Sequence, residues 1–108
     1  MKAADSKRAA RPRAADYARS FSKDWDRLSA TGRFDMRKLK SVMLLLIAND
    51  GPLGPEWKDH PLRGDWAGCR ECHVGGDFLL IYQIDDKAGR SGGIVFERIG
   101  THADLFNE

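Results

Sequence analysis

The chain has 108 residues, 42% hydrophobic and 31% charged, with three histidines, two cysteines and a formal net charge of +2. That length holds one hydrophobic core and excludes a second domain, since about 100 to 150 residues is the commonest size of such a unit. The composition is neither that of a disordered chain nor that of a membrane protein, and so small a net charge permits nucleic-acid binding only where Lys and Arg gather on one surface.

Residues 1–10 combine Ala, Lys and Arg with almost no large apolar side chain, which predicts a basic, solvated tail ahead of a single domain over 11–108. No apolar stretch follows the charges of Met1 to Arg13, so no secretory leader is expected, and the longest apolar run, Val42 to Ala48, is too short to cross a bilayer. A cytoplasmic location with no membrane partner is the expectation. Tyr17, Phe21, Trp25 and Leu28 recur at helical spacing and predict a first helix that stops at Thr31-Gly32. Asp35 is placed to cap a second helix whose apolar face carries Met36, Leu39, Val42, Met43, Leu46 and Ile47, and Asn49-Asp50-Gly51-Pro52 ends it. Residues 51–64 hold three of the four prolines and predict a long irregular loop of the kind that is often functional.

Three strand-like runs close the chain: Trp66 to Val74, Asp77 to Ile84 and Ile94 to Ile99. Gly75-Gly76 signals a hairpin, and Asp85 to Gly93 a longer polar connection. The expected fold class is α+β, two N-terminal helices packed on an antiparallel sheet.

All three histidines, His60, His73 and His102, fall at loops or strand ends, where functional groups concentrate on a rigid scaffold. With an unperturbed pKa of about 6.5, imidazole gives and takes protons near neutrality. Lys58, Arg63, Arg70 and Arg98 are able to hold a phosphate, and Phe106, Trp57 and Tyr82 to stack on a base, although Tyr82 in so apolar a strand reads first as core. Asp77 lies four positions beyond His73. A two-residue turn puts the two on opposite faces, whereas a three-residue turn over residues 74–76 pairs them and lets the carboxylate orient the imidazole; the second register is the one expected. Gly100 and Thr101 would turn the chain and cap a short helix that starts at His102, which would favour the neutral imidazole there. Cys69 and Cys72 spell Cys-x-x-Cys, but residues three apart on a strand point to opposite faces about 10 Å apart, and a structural zinc normally needs four ligands. No metal or other cofactor is expected.

The run Trp57-Lys58-Asp59-His60-Pro61-Leu62, then Gly64, Trp66 and Gly68, then Arg70 with His73-Val74, then Leu80-Ile81-Tyr82, then Phe96-Glu97-Arg98 and Gly100-Thr101-His102-Ala103 with Leu105-Phe106, resembles the YafQ-type mRNA interferases of the RelE superfamily. The resemblance runs from about Tyr17 to Phe106. It implies a RelE-like β-α-α-β-β-β fold with a short edge strand near Arg11 to Ala15. It further implies a type II toxin that enters the ribosomal A site and cleaves mRNA, with a cognate antitoxin as partner. His60, His73, Asp77 and His102 match family positions linked to acid–base chemistry, and Phe106 one linked to positioning substrate. Glu71 falls, as a conservative departure, on a further acidic position. With Lys58, Arg70 and Arg98 these make the expected substrate contacts. A ParE-like gyrase-inhibiting toxin and an inactive antitoxin-binding homologue are the competing expectations; the retained histidine motifs favour cleavage. Basic residues around Arg11 to Arg19 and the helix pair are the expected antitoxin surface.

Overall fold

Strand β4 (Phe78–Asp85) opens with five consecutive buried residues rather than an alternating pattern, because both faces of the sheet are covered at this point. It is the central strand of a five-stranded sheet in the order β1-β5-β4-β3-β2, with β1 at Ala14–Tyr17, β2 at His60–Pro61, β3 at Arg70–Gly75 and β5 at Gly93–Gly100. Phe78, Leu80 and Tyr82 enter the main core beneath helices α1 (Arg19–Thr31) and α2 (Met36–Ala48). Leu79 and Ile81 enter a smaller core on the opposite face with Leu62, Trp66, Leu105 and Phe106, closed by the short helix α3 (His102–Phe106). The computed structural model describes residues 12–85 and 92–106. The basic tail over 1–10 and most of the polar connection between Asp85 and Gly93 lie outside them.

The α+β class is as expected, and so are both helix boundaries signalled by caps. Gly32 takes the left-handed conformation with φ 67° after α1, and the Asp35 carboxylate accepts the Lys38 backbone N–H at the start of α2. Four expectations are corrected. Tyr17 ends β1 instead of opening the helix, because β1 pairs with β5 from Ala14↔Gly93 to Tyr17↔Phe96. That pairing is parallel, so the sheet is mixed: the chain between β1 and β5 crosses over through the helix pair. Within the expected irregular loop, His60–Pro61 forms β2 against β3. The run from Trp66 reaches strand geometry only at Arg70, since Gly64–Trp66 is a 3-10 turn. The two cysteines point to opposite faces as expected, Cys72 into the main core and Cys69 into the smaller one.

Helix α1 buries Phe21 and Leu28, each worth roughly 1.5–3 kcal/mol, yet the position between them is a carboxylate, Asp24, that is only 4% exposed. The reason lies in the edge of β5. After Tyr17 the neighbouring strand stops, and α1 takes its place: Ser20 Oγ donates to the Glu97 carbonyl, and Asp24 accepts the Ile99 backbone N–H at 3.1 Å. The same carboxylate receives Arg98 at 2.6 and 3.1 Å. Asp24→Ala would leave a backbone donor and a guanidinium without their acceptor, and is expected to cost about 2–4 kcal/mol in urea unfolding. A loss below 1 kcal/mol on the order of a surface change would show that water replaces the carboxylate.

Candidate active site

The antiparallel register brings the three histidines into one row. His60 pairs with Glu71 across β2 and β3, His73 pairs with Leu79 across β3 and β4, and Leu79 pairs with Gly100 of β5, next to Thr101-His102. Ring centroids are 6.0 Å apart from His60 to His73, 6.0 Å from His73 to His102 and 6.0 Å from His102 to Phe106. The row lies on the face that carries the smaller core, away from the two long helices.

Glu71 sits under it. Its side chain is 4% exposed, with Oε1 3.2 Å from His73 Nε2 and 3.6 Å from His60 Nε2. His60 Nδ1–H donates to the Lys58 carbonyl at 2.8 Å, and Nε2 is turned toward Glu71. Lys58 adopts a left-handed backbone with φ 50° as the cap of the Pro55–Trp57 turn, which aims that carbonyl back at the ring. Its own side chain is exposed.

The expected pairing of His73 with Asp77 is not what the structure has. An extra residue on β3 between His73 and Gly75 sets Gly75 against Phe78, so the turn is Gly76-Asp77 and Asp77 stands at its tip. There the end of β5 arrives, and the Asp77 carboxylate accepts both the His102 backbone N–H, at 3.1 Å, and Nδ1–H of the His102 ring. These hydrogen bonds from His102 hold the Asp77 carboxyl below its ordinary value. A carboxylate so placed fixes the proton on Nδ1.

Thr101 caps α3 as expected, in a reciprocal arrangement: Thr101 Oγ1 accepts the Asp104 N–H at 3.1 Å and Asp104 accepts the Thr101 N–H at 3.2 Å. A Cβ on Gly100 would stand 3.1 Å from the Asp104 side chain, a tighter approach than ordinary contact, and the backbone there has φ 156°, so the turn favours glycine.

Of the cations expected to hold phosphate, Arg98 is anchored to Asp24, whose hydrogen bond raises the guanidinium's pKa, and remains partly exposed. Arg70 is turned toward Asp59, with Nη2 3.2 Å from the carboxylate. Asp59 also accepts the Tyr82 hydroxyl at 2.5 Å, and burial together with this carboxylate pushes the Tyr82 phenol well up. This partly buried clamp ties the residue before His60 to β3 and β4. Trp57 is buried in the main core with Lys38 over its ring, which removes it from the stacking candidates; Tyr82 is core as well. Arg63 is exposed. Burial pushes the Cys72 thiol up to about 12, which suits packing and not redox chemistry. Sequence reasoning missed the Asp59 clamp and Asp24. The available signal for the latter was a carboxylate on the apolar face of α1, between Phe21 and Leu28.

The sheet is RelE-like, with the long helices on one face and a row of histidines beside carboxylates on the other. The family described as "Bacterial toxin of type II toxin-antitoxin system, YafQ" matches residues 13–107, and the chain belongs to it. It is 48% identical over 91 residues to the mRNA interferase toxin YafQ of Escherichia coli K12, covering 84% of this chain and 92% of that one. The structure is similar to that of the E. coli DinJ-YafQ complex, with a TM-score of 0.74 and 47% identity over 87% of this chain and 98% of the other. It is also similar to a metal-bound toxin from Helicobacter pylori, with a TM-score of 0.71 and 38% identity over 86% of this chain and 98% of that chain. Among the described residues no helix is long and apolar enough to cross a membrane.

Proposed function

We propose that this toxin is a cytoplasmic, ribosome-dependent endoribonuclease that cleaves mRNA in the A site by acid–base catalysis, and that a cognate antitoxin neutralises it. The relative named an mRNA interferase and the relative solved with DinJ support the activity and the partner. The observation that carries the mechanism is the row His60, His73, His102 with Glu71 between the first two rings and Asp77 behind the third.

RNA cleavage by the neighbouring hydroxyl needs a base for the 2′-hydroxyl proton, positive charge beside the phosphorane, and an acid for the departing 5′-oxygen. Glu71, buried between two imidazoles, is the base. His60 and His73 flank the phosphorane and spread its charge, with Arg98 and the exposed ammonium of Lys58 on the surrounding phosphates. His102, its Nδ1–H held by Asp77, delivers the proton from Nε2 to the 5′-oxygen. Phe106, in ring contact with His102, stacks on the base next to the cut. Arg70 acts chiefly through Asp59, as part of the support for His60. The products are a 2′,3′-cyclic phosphate, or its opened 3′-phosphate, and a 5′-hydroxyl. A gyrase-inhibiting toxin needs no such row, and an inactive antitoxin-binding homologue no orienting carboxylates.

Expression in cells followed by mapping of mRNA 5′ ends tests this reading. Discrete in-frame cuts on translated messages, with 5′-hydroxyl ends, are expected. Intact mRNA with blocked DNA supercoiling would transfer the protein to the gyrase inhibitors. The antitoxin is expected on the opposite face, where Tyr17, Phe21, Trp25 and Met43 line a groove of about 400 Å³ and Tyr17, Leu44 and Leu45 are exposed. Arg19 stands at the start of α1 beside it; Arg11 lies outside the described residues. Arg13 has a structural task, since its Nη1 donates to the Leu46 carbonyl at 2.6 Å and its N–H to the Ile47 carbonyl at 2.8 Å.

A further inference from the structure

We propose that Asp24 of α1 is a positioning residue for cleavage: it holds the Arg98 guanidinium, and through it a phosphate beside the cut, at a fixed place on the rim of the histidine row. The inference rests on the acid–base reading of that row and adds a buried residue, outside the row, on which its rate depends.

Directly opposed residues of neighbouring strands share a face of the sheet. The register therefore sets His60, Glu71, Ile81 and Arg98 in one rung across β2, β3, β4 and β5, from His60↔Glu71 through Glu71↔Ile81 to Ile81↔Arg98. Arg98 stands two strands from Glu71, about 10 Å between backbones. Asp24, on the helix that runs along the outer edge of β5, draws the guanidinium further from Glu71. So held, it serves a phosphate next to the reacting one and not the phosphorane itself.

A kink in β5 prepares this contact. The pairing with β4 passes from Tyr82↔Phe96 to Ile81↔Arg98, so Glu97 is an extra residue, and such a bulge re-aims the side chain that follows it. Helix α1 grips both positions: Ser20 Oγ donates to the Glu97 carbonyl at 2.9 Å, and the Asp24 carboxylate accepts Arg98 Nε–H at 2.6 Å and Nη2–H at 3.1 Å. Two parallel contacts fix the plane of the guanidinium and not only its charge. Asp24 uses neither N–H of Nη1, and the Arg98 side chain keeps 27% of its exposure, enough for a phosphate to reach it. Asp24 itself is buried and acts through Arg98. Arg27 continues the cluster, 3.3 Å from Asp24 and 3.9 Å from Asp104, which caps the helix that carries His102 and Phe106. An arginine already frozen in place loses less freedom when substrate arrives, and a misplaced contact away from the chemistry slows it strongly.

Single-turnover cleavage of a message on saturating ribosomes tests this by a double-mutant cycle. Asp24→Asn keeps an oxygen for the Ile99 N–H but loses the anion that grips Arg98, and is expected to cut about 10- to 100-fold more slowly. Arg98→Gln should be at least as slow, and Asp24→Asn combined with Arg98→Gln no slower than Arg98→Gln alone. A merely structural Asp24 would multiply the two losses, and that result would overturn the role. Arg98→Lys keeps the charge without the fork and is expected to cut as slowly as Asp24→Asn. It decides the matter alone if Asp24→Asn fails to fold: a lysine variant that cuts like the parent would show that no fixed guanidinium plane is needed. A parent toxin that leaves translated mRNA intact would refute the proposed activity and this role with it, whereas a parent that cuts, with multiplied losses in the cycle, would refute the role alone.

Discussion

His102→Ala is expected to fold and to bind its antitoxin as the parent does, yet to cut mRNA about 10²-fold more slowly or worse. The variant removes the Nε2 proton donor while leaving in place the Thr101–Asp104 cap that holds α3. A substrate with sulfur in place of the bridging 5′-oxygen distinguishes an acid from a structural residue, because a thiolate leaves without protonation. On that substrate most of the lost rate should return. Asp77→Asn is the companion measurement. Since the Asp77 carboxyl is held below its ordinary value of about 3.9, its pairing with His102 adds stability above that pH, an addition lost as the pH falls through the lower folded value. Asp77 is therefore ionised throughout the neutral range, and its replacement by the neutral amide should lower kcat without displacing the whole cleavage profile through unfolding. A folded His102→Ala toxin that cuts like the parent on the natural message would remove this histidine from the chemistry.

Glu71→Gln is expected to have the second large effect, a loss of about 10²–10⁴-fold in cleavage. The amide keeps the volume in a site only 3% exposed, so thermal unfolding should stay near that of the parent. It removes the anion that faces both His60 and His73. Here the sulfur-bridged substrate should give no recovery, since the missing step is removal of the 2′-hydroxyl proton and not departure of the 5′-oxygen. Recovery on that substrate would reassign Glu71 to the acid side of the reaction. Unfolding of Glu71→Gln would be read against Glu71→Met, which tests whether the pocket tolerates any neutral side chain of this size.

The two helices, their caps at Asp35 and Gly32, and the last two long strands were legible in the sequence because each follows from local chemistry: apolar spacing, a carboxylate aimed at free N–H groups, a glycine able to take positive φ. The histidines could be picked out for the same reason, as titratable groups at the ends of elements. Their partners could not. Which carboxylate serves which imidazole depends on one extra residue in β3, which moves Asp77 to the tip of the turn and gives it to His102, 25 positions away, instead of to His73. Glu71 read as a substrate contact until β2 and β3 closed over it and placed it between two rings. Asp24 became intelligible once α1 was seen to replace a missing strand along β5, because a backbone N–H buried at a sheet edge must find an acceptor wherever the fold offers one. Local propensity determines where elements begin and end, whereas register and burial, which belong to the folded sheet as a whole, determine which charges face each other and hence what the site can do.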